Sequence, residues 1–99
     1  VVPISSHMGS VTDITSPGSY YYRSSKAALN AAMRGLAAEL TVDGIGLMLL
    51  HPGGVMTRMG PSQGLSPAES VAGMYHLVKK FDSKMHGRFF RYDGSEFPW

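Results

Sequence analysis

Apolar residues recur along this chain in two rhythms. From about Ser19 to Thr41, Leu29, Met33, Leu36 and Leu40 repeat at spacings of four, three and four, with Ala28 and Ala32 beside them. That period predicts a long amphipathic helix, whose alanines favour helical backbone and let another backbone approach closely. Asp43-Gly44 supplies its stop. The second rhythm is the short unbroken run. VVPISS at residues 1 to 6 predicts a buried strand, followed by a Ser-, Thr-, Gly- and Pro-rich loop to about Gly18. IGLMLLHPGG at residues 45 to 54, closed by Pro and Gly, predicts a strand covered on both faces. Residues 53 to 65 form a loop, and SPAE at 66 to 69 opens a second helix. There Ser66 is the N-cap, Pro67 the first helical residue and Glu69 the closing member of a capping box. Val71, Tyr75, Val78 and Phe81 or Asp82 align along one side of it. GRFFRY predicts a last strand, and Asp93-Gly94 a turn before the aromatic tail EFPW.

The order is strand, helix, strand, helix, strand, with crossovers long enough for parallel pairing. This is an α/β fold, the latter part of an open parallel sheet, in one domain over residues 1 to 99. Ligands of such sheets collect outside the carboxyl ends of the strands. Ser5, Ser6 and the HPGG loop fall at those ends, and the tyrosine group at the start of the long helix joins them there.

Composition narrows the function classes. With 43% hydrophobic and 16% charged residues the chain is neither disordered nor a membrane span by composition, and it carries no export signal, so cytoplasm is the default compartment. Cysteine is absent, which removes disulfides and thiolate metal sites. The four histidines show no metal-ligand spacing, and His51 stands where a strand leaves the sheet. The net charge of +2 comes from scattered Lys and Arg with a single adjacent pair, a poor match to a nucleic-acid surface. Because the sequence opens inside a strand-like run without an initiator Met, the expectation is a fragment of a longer chain.

The chemical question lies in YYYRSSKAAL, residues 20 to 29. On a helix, residues four apart share a face, so only Tyr22 stands beside Lys26; Tyr21 pairs with Ser25 and Tyr20 with Ser24. A free phenol is a poor acid or base at neutral pH, and a fixed cation about 4 Å away, worth on the order of 4 kcal/mol at an effective dielectric of about 20, makes it a usable one. A serine hydroxyl such as that of Ser6 can hold a carbonyl or alcohol oxygen against the phenol. Each residue alone has a plainer explanation. A lysine stem covering a ring is ordinary, Ser5 and Ser6 can satisfy backbone at a strand end, and Tyr20 and Tyr21 suit packing or a pocket wall.

Taken together, ISSHMG, YRSSKAALN and HPGGVMT resemble the second half of the short-chain dehydrogenase/reductases. The closing GRFFRYDGSEFPW is similar to the carbonyl-reductase and C-factor-like branch. The resemblance extends over nearly the whole chain and implies a Rossmann-like, doubly wound parallel sheet whose dinucleotide-binding half lies upstream of Val1. It implies an NAD- or NADP-dependent oxidoreductase that interconverts a carbonyl and a secondary alcohol. Carried over, it makes Tyr22 the general acid/base, Lys26 its electrostatic partner and a ribose contact, and Ser6 the residue orienting the substrate oxygen. Pro52, Gly53, Val55 and Thr57 would line the nicotinamide side. Partners implied are a small carbonyl or alcohol substrate and a possible second copy of the chain, with no nucleic acid or membrane. Ser6 to Tyr22 is a few residues longer than the commonest spacing, which keeps Ser5 as the alternative to Ser6, and Arg58 stands where that branch often has an acidic residue. A catalytically silent dinucleotide- or partner-binding protein is the rival function.

Overall fold

Successive side chains of a strand point to opposite faces, and residues 47–50 use both. In the computed structural model, which describes residues 1–55 and 64–99, Leu47 and Leu49 are buried with Ala37 and Phe89 on one side of the sheet. Met48 and Leu50 are buried with Leu77 and Phe90 on the other. Helix α1 (Tyr20–Leu40) supplies the first layer through Met33, Leu36, Ala37 and Leu40. Helix α2 (Pro67–Lys79) supplies the second through Met74 and Leu77. The unbroken apolar run is therefore what a strand sandwiched between two helices requires. Among the described residues, no helix is long and apolar enough to cross a membrane.

The sheet holds β1 (Leu49–His51), β2 (Phe89–Arg91) and β3 (Glu96–Phe97), in that order. β1 and β2 are parallel, with Leu50 opposite Phe90. β2 and β3 are antiparallel, so the sheet is mixed, which the sequence pattern did not anticipate. Two residues ending at Pro98 are too short to show a period. They pair because the Asp93-Gly94 turn folds them back: the Asp93 carboxylate accepts from the Ser95 N–H and hydroxyl at 3.0 and 2.6 Å. Phe97 and Trp99 then pack on Phe89, with ring centroids 5.4 and 5.9 Å apart.

The expected first strand is reduced to a single parallel bridge between Ile4 and Leu50. Its neighbours still pair in ladder fashion, Leu50 N–H to the Pro3 carbonyl at 3.1 Å and Ser5 N–H to the Leu50 carbonyl at 2.8 Å. Pro3 has no N–H to give in return, which shortens the element.

α1 starts and stops as its pattern predicts, ending in a 3-10 turn at Thr41–Asp43 and at Gly44 with φ 68°. Ala28 and Ala32 are exposed, however, and the inward position between the leucines is Asn30. α2 differs by one position: Val71 and Tyr75 are 59% and 62% exposed, and Ser70, Met74 and Leu77 face the sheet instead. Two apolar stripes lie side by side on this helix. Tertiary contacts select between them, because Ser70 donates inward to the Pro52 carbonyl at 2.6 Å.

The α2 start has the expected N-cap, with Ser66 Oγ accepting from the Glu69 N–H at 3.1 Å, but the Glu69 carboxylate accepts from the Ser66 hydroxyl at 3.2 Å instead of from the backbone N–H that would close the capping box. Ser66→Ala is expected to cost about 1 kcal/mol of stability in the intact protein. Turnover at low temperature should stay nearly unchanged, and a melting curve beside an activity assay checks both. At the opposite end of the sheet His86 fastens three segments. Its Nδ1 accepts from Leu47 N–H at 3.0 Å, so Nε2 carries the proton, and Nε2 donates to the Ala37 carbonyl at 2.8 Å.

Candidate active site

Ser6 ends the first extended segment and caps a 3-10 turn, His7–Gly9, its Oγ accepting from the Met8 N–H at 3.1 Å. Ser5 is committed elsewhere. Both serines are buried, but the Ser5 hydroxyl donates to Asn30 Oδ1 at 2.5 Å. The two serines are thus unequal: one ties the strand end to α1, and the other keeps its hydroxyl proton unengaged among the described residues.

The 3-10 turn lies directly on the helix that carries Tyr22 and Lys26. A Cβ on Gly9 would stand 2.7 Å from Asn30 Nδ2 and 2.9 Å from the Lys26 carbonyl oxygen. Only a glycine allows the serine turn this close to α1. Gly9 and Asn30 were not singled out from the sequence. A lone Asn inside an Ala- and Leu-rich helix, four residues after Lys26, is the signal that could have found the second.

Tyr22 and Lys26 stand together as helical spacing requires, with the ammonium 5.7 Å from the ring centroid. Tyr22 is 47% exposed, open to a ligand. Among the described residues no carboxylate lies within salt-bridge distance of Lys26. Tyr20 lines an apolar groove with Val11, Ile14 and Pro17 on another face of the helix. Tyr21 is 95% exposed, so it is not a packing residue here, because the first turn of α1 projects it away from the sheet.

The HPGG turn joins the same edge. His51, the last residue of β1, and His7, which follows Ser6, have ring centroids 4.8 Å apart, and His51 also meets Phe97 at 5.5 Å. Pro52 and Gly53 are half-buried, Gly54 faces open space, and Val55 bridges to Leu65. Thr57 lies outside the described residues, as does Arg58.

His51 is pushed down from 6.5 to about 4, first by burial and then by the nearby His7 and Arg91 charges. The unfolded chain therefore takes up a proton at this position below about pH 6.5, whereas the folded protein does so only near pH 4. This contribution to stability is complete above pH 6.5 and is lost as pH falls through that window. Urea unfolding at several pH values should show the slope, and His51→Phe should flatten it.

Residues 1–67 match the short chain dehydrogenase family. The C-signal of Myxococcus xanthus is 44% identical over the whole chain, which spans 60% of that protein. A Rhodococcus 1-hydroxy-2-glutathionyl-2-methyl-3-butene dehydrogenase is 35% identical over 97% of the chain and 45% of its own length. Among solved structures, the carbonyl reductase Sniffer of D. melanogaster superposes with a TM-score of 0.93 at 38% identity, over 99% of this chain and 40% of that one. The NADPH-bound carbonyl reductase from chicken fatty liver gives 0.90 at 33%, over 99% and 42%. The chain thus spans about half the length of these relatives. A family match over two thirds of the residues, joined to the same fold throughout, shows that the chain belongs to the short-chain dehydrogenase family.

Proposed function

We propose that the intact protein is an NAD(P)-dependent oxidoreductase that interconverts a carbonyl and a secondary alcohol, with Tyr22 as the general acid/base. The observation that carries this is the pairing of an accessible Tyr22 with Lys26, one helical turn apart, on a helix against which the serine turn packs through Gly9. A structural helix face has no need of all three.

The residues present fit the nicotinamide and ribose end of a dinucleotide. Lys26 has no carboxylate partner among the described residues, and Gly54 faces open space just beyond the carboxyl end of β1. When bound, that group supplies or accepts the hydride. The chain manages the oxygen and the proton. The Ser6 hydroxyl donates to the substrate oxygen, and the Tyr22 phenol gives it a proton in reduction and removes it in oxidation. Lys26 sets its ammonium beside the phenol and would offer N–H donors to ribose hydroxyls. Pro52, Gly53 and Val55 would line the nicotinamide side, with Thr57 assigned there by the family resemblance alone.

An assay of the intact protein with NADH and NADPH against ketones, aldehydes and quinones tests this function. Oxidation of either nucleotide that depends on the carbonyl compound is the expected result. The 44% identity to a protein named for signalling favours a second reading, a scaffold that binds a nucleotide or partner without chemistry. Nucleotide binding without turnover on any substrate would select it.

A further inference from the structure

Given the oxidoreductase function proposed above, we propose that Tyr92 is a positioning residue, whose ring clamps the Pro52-Gly53 turn on the nicotinamide side. Gly53 holds φ 87°, a left-handed conformation that side chains rarely adopt and that does not by itself keep a turn in one place. Tyr92 meets it from below. A Cβ on Gly53 would lie 2.8 and 2.9 Å from Cε1 and Cδ1 of the Tyr92 ring. The Tyr92 N–H donates to the His51 carbonyl at 2.9 Å, just before the turn.

Tyr92 is itself braced by α2. Gly73 approaches so closely that a Cβ there would stand 2.5 Å from the Tyr92 carbonyl oxygen and 3.0 Å from ring Cδ2. From the same helix the buried Ser70 hydroxyl donates to the Pro52 carbonyl at 2.6 Å, and beyond the turn Leu65 N–H donates to the Gly54 carbonyl at 2.9 Å. Backbone on both sides of Gly53 is therefore anchored, and the ring fills the space beneath it. These contacts use ring carbons, so Phe can replace Tyr92 and Ala cannot.

The test combines hydrogen exchange over residues 51–55 in the nucleotide-free intact protein with NADPH affinity by fluorescence titration. It compares the unaltered protein with Tyr92→Phe, Tyr92→Ala, Ser70→Ala and Leu77→Ala, the last a control for general loosening of the α2 core. Tyr92→Ala should speed exchange at the turn and weaken NADPH binding, each by about tenfold, as small misplacements of a positioned group do. Tyr92→Phe should match the unaltered protein, Ser70→Ala should move both readouts in the same direction, and Leu77→Ala should leave the turn's exchange unchanged. If Tyr92→Ala does not fold, Ser70→Ala carries the comparison. Unchanged exchange at the turn in the folded Tyr92→Ala and Ser70→Ala variants, or an equal change in Leu77→Ala, overturns the clamp. Faster exchange in Tyr92→Ala, in a protein whose unaltered form binds neither NADH nor NADPH, upholds the clamp and overturns the oxidoreductase function instead.

Discussion

Tyr22→Phe in the intact protein is expected to lower turnover by at least ~100-fold, the usual consequence of losing a positioned general acid. The substitution keeps the ring and its contact with Lys26 and deletes only the transferable proton. Tyr20→Phe and Tyr21→Phe should retain most activity, because Tyr21 is 95% exposed and Tyr20 lies against the loop groove. Lys26→Met keeps an apolar stem but removes the charge, so nucleotide affinity should weaken along with turnover. Steady-state kinetics with one demonstrated carbonyl substrate decide the matter. Near-normal turnover in Tyr22→Phe, or a collapse confined to Tyr21→Phe, would defeat the assignment.

The second large effect is expected from Gly9→Ala, a single methyl added where the Ser6 turn meets α1. Its Cβ would meet the Lys26 carbonyl oxygen at 2.9 Å and the carbonyl carbon at 3.0 Å. These are backbone atoms of a 21-residue helix and cannot turn aside, so the serine turn must move instead. Overpacking of this kind costs roughly 1–3 kcal/mol. A displacement of Ser6 relative to Tyr22 by about 1 Å should also lower turnover on the order of 100-fold. Gly35→Ala is the matching control, since nothing lies within 4 Å of a Cβ there and alanine favours a helix. Melting temperature and turnover measured on both variants check the pair. Equal behaviour of the two would show that the Gly9 contact positions nothing.

By itself the sequence determined the parts of this protein that depend on neighbours in the chain. The pairing of Tyr22 with Lys26 follows from helical geometry, and the Ser66 cap and the Gly44 stop follow from local backbone bonding. The unbroken run at 47–50 required a strand covered on both faces because every side chain in it is apolar. Tertiary structure alone decided what depends on the approach of distant segments. It selected Ser70, Met74 and Leu77 over Val71 and Tyr75 as the inward stripe of α2, since both have helical period and only the Pro52 carbonyl and the Leu50 face discriminate between them. It made a strand of Glu96 and Phe97, whose two residues have no period of their own. It also separated Ser5 from Ser6, by giving Ser5 a partner 25 residues away in Asn30, and it brought Tyr92 beneath Gly53. Such contacts leave no local trace because each member is an ordinary residue in its own segment. Only the close packing of α1 and α2 on the two faces of one sheet makes them specific.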